Sequence, residues 1–447
     1  MKIPNYQSNR LSLKSNMIKL VMIHLVFFLL GCSPEQKNTG GFYEPELIEG
    51  VHFYKETIRR VGRGPQGDNW CVTWASDDTQ LINMDDGSWL DRHGSFHNRL
   101  YKITGASDFD YNSDVTEINN YPIFNDGGNE RGWYGYGIVS IGDTIYTAVS
   151  LTPNTKFNPF IGVKILKSPD NGKSWSRVDK MGKERDLPYG NPANYETDFS
   201  EMFFNKEFGK AGHGRTSYPF VWLSFVQNGK AGGASKDGYV YIYSPEGSDA
   251  SQLLLARVKE GQFEVRSNWE YFKIWNDVTP VWTKDIKQRG VIHKFPDKNK
   301  NNDYFGWYSW LPSVVWNEGL GVYIMVNGGT YAGMRMSQSS SDYYNSWVHV
   351  KSGSLGFWYS KNPYGPWRKF YYTEHFIVDN ERNRTYQPKL SPKWISDDGK
   401  KMVLIWSDAG QNSKGEYYSE NYTWNQMEIE IKNDLWEKKR LNNESGL

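Results

Sequence analysis

Apolar residues recur at every second position over short runs, and clusters of Gly, Asn, Asp and Ser separate those runs. A period of two is the strand period, whereas an amphipathic helix repeats its apolar positions every three or four residues. The helical period is nearly absent, so the pattern predicts an all-β chain. Five stretches share one shape, an apolar strand, a polar turn and an aromatic strand: residues 70–74, 137–148, 237–243, 313–325 and 394–406. They recur roughly every 70–95 residues, which predicts a five-bladed β-propeller of four-stranded antiparallel blades. That spacing is long for a blade, so long loops are expected, and such loops build binding faces.

A turn signal agrees with this reading. Ser168-Pro-Asp170-Asn-Gly172-Lys-Ser-Trp175 is an Asp-box, in which Asp and Gly make a tight hairpin turn and Trp packs between strands. It is expected on a hairpin away from the active face, and Ser396-Asp397-Asp398-Gly399 is a degenerate cousin.

The N-terminus breaks the strand pattern. Lys2, Arg10, Lys14 and Lys19 precede an apolar run from Leu20 to Leu30, and Leu29-Leu30-Gly31-Cys32 follows the lipobox pattern. The run of roughly 11 residues is short for about 30 Å of hydrocarbon. Residues 1–31 thus read as a lipoprotein signal peptide, Cys32 as the lipidated residue, and residues 32–50 as a polar tether. Residues 51–447 are left for the propeller, in a monomer held at the outer membrane on its periplasmic or outer side. The remaining cysteine, Cys71, lies between Trp70 and Val72 and reads as a buried, inert thiol.

Charge narrows the function. With 52 basic and 51 acidic residues, nothing favours nucleic acid or a polybasic membrane face. Aromatic residues make up 16%, with 19 Trp and 30 Tyr. Sugar rings stack on Trp and Tyr while their hydroxyls bond polar neighbours, so a polysaccharide or oligosaccharide partner is expected; Trp and Tyr also favour strands. No cofactor is expected. His93 and His97 are four apart but not on a helical stretch, so the spacing does not bring them together as metal ligands. There is no phosphate-cradling glycine loop and no Gly-x-Ser-x-Gly nucleophile elbow.

A set of ordered motifs carries a family resemblance. They are Gly67-Asp68-Asn-Trp70, Thr73-Trp74-Ala75, Asp78 and Asp86-Gly87, then the Asp-box. Asn205-Lys-Glu-Phe208-Gly209-Lys210, Asp237-Gly-Tyr-Val-Tyr-Ile-Tyr243, Leu255-Ala-Arg257-Val258, Trp269-Glu-Tyr-Phe272 and Tyr364-Gly-Pro-Trp367 follow. In that order the chain resembles the domain of unknown function 4185, a propeller family of bacterial polysaccharide-degrading systems. The resemblance implies a propeller and, for the part of the family classed as glycoside hydrolase family 183, endo-D-arabinanase activity.

Glycoside cleavage needs two carboxyl groups, and the first blade offers Asp68, Asp78 and Asp86. Asp68 is expected where the first innermost strand opens on the funnel, Asp78 beyond its exit, and Asp86 after the next strand. Because strands alternate in direction, Asp68 and Asp86 are expected on one face. Asp beside Gly or Asn also forms turns, which is the competing role. Glu201 and Glu270 are further acids. Trp133, Tyr134 and Tyr136, and separately Trp307, Tyr308 and Trp310, are candidate stacking platforms, with core packing as the alternative. Gly212-His213-Gly214-Arg215 offers a ring and a guanidinium for a sugar carboxylate or sulfate. The leading expectation is an endo-acting glycoside hydrolase. A polysaccharide lyase on a uronate glycan, using a Tyr or His base, and a non-catalytic glycan-binding lipoprotein are the alternatives.

Overall fold

A computed structural model describes residues 48–62, 67–90, 96–122, 132–152, 159–187, 202–211, 217–248, 251–296, 311–328, 354–374, 376, 378, 383–411, 417–418 and 421–433. Among them the chain is strand throughout, with helix limited to three-residue 3-10 turns. The strands form five antiparallel sheets, the five blades of a propeller.

Blade I is a plain meander of Asp68–Trp74, Gln80–Asp85, Arg99–Ile103 and Val115–Glu117. Blade II runs outward from Gly132–Ile141 through Thr144–Thr152 and Gly162–Ser168 to Ser176–Val178. Blade III begins with the two-residue strand Ser224–Phe225 and continues through Tyr239–Pro245, Gln252–Lys259, Glu270–Asn276 and a fifth strand, Thr279–Thr283. Blade IV is Ser313–Asn317, Val322–Asn327, Leu355–Ser360 and Arg368–Thr373. Blade V starts with Asn383–Ile395, Lys401–Gln411 and Trp424–Lys432, and its outer strand is Gly50–Phe53 from the other end of the chain. Gly50 pairs with Lys432 and Phe53 with Ile429, so backbone hydrogen bonds close the ring. The second strand of blade III, not its very short first one, carries the recurring motif at 237–243.

The core is not one mass but a wedge between each pair of neighbouring blades. Trp70, Trp89 and Tyr101 of blade I meet Trp394, Ile405 and Trp424 of blade V. Cys71 and Leu100 of blade I meet Trp133 and Val149 of blade II. Equivalent wedges join blades II and III, III and IV, and IV and V. A buried aromatic ring removes about 150–250 Å² from water, roughly 4–6 kcal/mol each by area. Much of the aromatic content is therefore spent on holding blades together.

Candidate functional site

The innermost strands of blades V, I and II each carry the same irregularity. In blade I, three residues from Cys71 back to Asp68 face two from Asn83 to Asp85. In blade II, Gly135 to Ile138 spans three residues against two on the partner, Val149 to Thr147. In blade V, Tyr386 to Lys389 likewise faces Ser407 to Ile405. Each is a one-residue β-bulge, and each includes a left-handed residue: Asn69 (φ 55°), Gly137 (φ 90°) and Gln387 (φ 53°). Gly137 has a second reason to be glycine, because a Cβ there would lie 2.2 Å from the Leu223 carbonyl oxygen. In blade V the bulge accommodates Pro388, which has no N–H for a ladder. All three bulges lie toward the starts of innermost strands. They therefore share one end of the propeller.

The bulge in blade I decides which carboxyl groups meet. Trp74 pairs with Gln80 and Val72 with Ile82, a register that if unbroken would set Asp86 opposite Asp68. The extra residue shifts it by one, so Asp85 faces Asp68. Both side chains are buried, 5% and 1% exposed, and they stand opposite each other across the ladder. Two carboxyl groups this close in a dry site do not both ionise readily. Burial, then the charge and hydrogen bond of Asp68, then the charge of Asp86, raise the Asp85 carboxyl well above its usual range, against a hydrogen bond from Tyr136. Burial and mutual repulsion thus favour a proton on the pair.

Asp86 lies just beyond, with φ 53°. Its Oδ1 is 2.7 Å from His97 Nδ1. The His97 ring stacks on Tyr134 at 4.1 Å between centroids, and the Tyr134 oxygen is 3.4 Å from Nε2. Tyr134 stacks in turn on Tyr136, and Tyr136 meets Trp222 edge to face. Tyr134, Tyr136 and Trp222 form a buried cluster with Phe160, Val221 and Leu311, drawn from blade II and from the segments leading into blades III and IV. Lys389, 4% exposed, comes in from the blade V bulge and donates to the Leu311 carbonyl oxygen at 3.2 Å.

The sequence candidates divide accordingly. Asp68 and Asp86 lie at the same end of blade I. Asp78 does not: it lies at the opposite end of the same strand, more than half exposed, bonded to Trp74 Nε1 and ion-paired with Lys393 and Lys230. The Lys393 hydrogen bond holds its carboxyl below the usual range. It ties strand ends together and does not join the acid cluster. Glu270 pairs with Arg257 at 2.8 Å on an outer strand of blade III, away from the funnel. Trp133 points into the wedge between blades I and II, under Lys164, and offers no open sugar-stacking face. Tyr134, 3% exposed, is buried in that cluster with His97 stacked on its ring. His213, Arg215, Trp307, Tyr308, Trp310, Glu201 and Cys32 lie outside the described residues. Cys71 is buried, and burial raises its thiol, as an inert core cysteine requires. Among the described residues no three or more His, Cys, Asp or Glu converge as metal ligands.

The Asp-box behaves as a turn. Asp170 accepts from the Lys173 and Ser174 backbone N–H groups and from the Ser168 and Ser174 hydroxyls, with Asn171 and Gly172 left-handed. It sits at the Asp78 end, where Asn171 reaches Ser76 of blade I.

Asp85, His97 and Lys389 were not singled out as site groups from the sequence, and Tyr136 was expected as a stacking ring, not as a partner of Asp85. A bulge signal was present in Tyr386-Gln-Pro388 and Tyr134-Gly-Tyr-Gly137, since Pro or repeated Gly inside a strand pattern marks broken pairing.

No family model and no curated protein matches the chain, so the resemblance to the family named above stands on its ordered motifs alone. Solved structures do match along most of the chain. A candidate hydrolase from Bacteroides ovatus is 12% identical, covering 90% of this chain and 95% of that one, with a TM-score of 0.48. The catalytic domain of a family 62 α-L-arabinofuranosidase from Coprinopsis cinerea is 12% identical, over 88% and 94%, at 0.41. An α-L-arabinanase from Penicillium chrysogenum, in complex with arabinobiose, is 12% identical, over 84% and 98%, at 0.40. The propeller assignment rests on the strand order and ring closure above, not on these likenesses.

Proposed function

We propose that this protein is an endo-acting glycoside hydrolase whose reacting groups are Asp68 and Asp86 at the funnel mouth. The observation that carries the reading is the buried, proton-sharing pair of Asp68 and Asp85 at the start of an innermost strand. Structural aspartates are rarely paired this way without a compensating role, because two carboxyl groups in one dry site cannot both ionise.

The pair is too close to flank a glycosidic bond by itself, which needs carboxyl groups about 5–9.5 Å apart. It acts as one unit: Asp85 holds the proton and Asp68 the negative charge. Asp68 then draws a proton from water or attacks the anomeric carbon directly. The Asp86–His97 dyad holds one transferable proton, which goes to the leaving oxygen as the C–O bond breaks. Tyr136 orients Asp85 through its hydroxyl. The substrate class follows from the ordered motifs, which make arabinan the first polymer to try. Cys32 carries the lipid that holds a monomer at the outer membrane.

One observation favours a second reading. The stacked His97 and Tyr134 put an imidazole and a phenol together, the two base types that a polysaccharide lyase uses. Incubating the protein lacking residues 1–32 with plant, algal and mycobacterial polysaccharides separates the readings by product mass. Hydrolysis adds water to each broken bond, whereas a lyase leaves an ultraviolet-absorbing unsaturated end. Binding with neither product would leave a glycan-binding lipoprotein. For the anchor, Cys32→Ala is expected to leave the membrane fraction; full membrane retention would make the apolar segment itself the anchor.

A further inference from the structure

Four of the motifs that carry the resemblance have no place in the acid cluster: residues 237–243, 255–258, 269–272 and 364–367. The fold brings them together on the outer part of blades III and IV. The Arg257 guanidinium lies over the rings of Tyr239, at 4.3 Å, and Trp282, at 4.2 Å, and pairs with Glu270 at 2.8 Å. Asp237 accepts from the Tyr241 hydroxyl at 2.8 Å, and Lys259 donates to the Asp237 carbonyl oxygen. Trp282 comes from the edge strand of blade III and Trp275 from the strand beside it. The pairing shifts by one residue at Lys273, which brings Trp275, opposite Pro280, onto the face that holds Trp282, opposite Phe272. Tyr364 of blade IV is 6.4 Å from each of these two indoles, so three rings form a strip across the two blades.

The two indoles differ from those of the core. Trp70, Trp89, Trp269, Trp406 and Trp424 are fully buried, and each donates its Nε1–H to a protein oxygen. Trp275 and Trp282 are half-buried, donate to no protein group, and keep their nitrogens out of the dry interior. A part-exposed ring with a free N–H suits a sugar, which stacks on the ring and offers hydroxyls to the donor. Charge narrows the ligand. Arg257 and Lys259 offset Glu270 and Asp237, which leaves no net charge to hold a uronate, a sulfate or a nucleic acid. Pro280 in the edge strand blunts strand addition by another protein. We propose that this outer face of blades III and IV is a second glycan-binding surface, on which Trp275, Trp282 and Tyr364 stack the sugar rings of a neutral polysaccharide. The choice of polymer rests on the proposed function, whereas the surface does not depend on the acid cluster. An endo-acting enzyme gains from such a surface, because a chain held at one point is presented to the second at high effective concentration.

The test is retardation of the intact protein in native gels containing linear arabinan, xylan or polygalacturonate. Arabinan or xylan is expected to retard the wild type, and polygalacturonate is not. Trp275→Ala and Trp282→Ala should each weaken binding about 3–10-fold, with the losses multiplying in the double variant and the Phe variants keeping most of the affinity. Wild-type retardation of the folded double variant would overturn the proposal, as would retardation by polygalacturonate alone or by no polymer. Should the Ala variants fail to fold, the indole N–H signals of the wild type in proton–nitrogen spectra decide, each assigned by its absence from the Phe variant. Both are expected to shift as arabinan or xylan is added, and two unmoved signals would overturn the proposal. Asp68→Asn leaves the hairpin untouched and should bind as wild type does; lost binding in that folded variant would place the glycan at the acid cluster instead. A wild-type dimer that Trp275→Ala dissociates would make the face a contact between copies of the chain and likewise overturn the proposal. If the wild type binds a neutral polymer through these rings but cleaves none, the hydrolase reading falls and the surface stands.

Discussion

Replacing Asp85 by Asn tests whether the pair shares a proton, because the amide stands in for the protonated carboxyl at every pH. The amide keeps the geometry: its N–H can donate to Asp68, and its oxygen can accept from Tyr136. It cannot ionise. In the wild type, the folded-state value of Asp85 is raised by burial and by Asp68. A raised group favours the fold fully below its unfolded value, about 3.9 for Asp, and that contribution is lost as pH climbs through the folded value. Over that window the wild type loses about 1.4 kcal/mol per pH unit and Asp85→Asn does not. The variant should match wild type near pH 4 and exceed it in stability at pH 7–8, by roughly 1–3 °C in Tm for each kcal/mol. Glycan cleavage should fall far less than the roughly 10²–10⁴-fold expected on losing Asp68 itself, because the amide N–H still holds the charge there. Calorimetry at pH 4 and 8, alongside cleavage rates, measures both. An ionised native Asp85 would give the reverse: the variant would be less stable at pH 8, by about 1.5–3 kcal/mol for a lost charged hydrogen bond.

Other variants should leave catalysis alone. Asp170→Ala removes the acceptor of four hydrogen bonds and should cost about 1–2 kcal/mol with unchanged kinetics. Burial raises the Asp170 carboxyl, but the bonds from Ser174, Ser168 and Lys173 outweigh this and hold it low. Its contribution is therefore present above about pH 4 and is lost on acidification, so the defect should shrink in acid, as thermal melts against pH would show. Asp78→Asn breaks exposed ion pairs at the far end of the blade and should change stability by less than about 1 kcal/mol and the rate not at all. A rate loss in Asp78→Asn would return that residue to the acid set.

The propeller was legible because strand alternation and the recurring aromatic motif are local properties. The place of Asp68 at the start of an innermost strand and the turn role of Asp170 followed from strand direction and turn chemistry. The partner of Asp68 did not follow. Counting along an unbroken hairpin sets Asp86 opposite Asp68, and only the left-handed Asn69 shifts the register to Asp85. His97 and Lys389 arrive from a third strand's approach and from another blade, more than 300 residues along the chain in the case of Lys389, and no local pattern encodes such a meeting. Trp133 shows the converse: alternation places it on one face of its strand, but whether that face is funnel or wedge depends on the neighbouring blade.

The most direct test is the cleavage rate of Asp68→Asn on a glycan that the wild type cuts, read by product mass with the thermal midpoint measured in parallel. The account predicts a rate lower by about 10²–10⁴-fold with the fold intact. A near wild-type rate in that folded variant would contradict it.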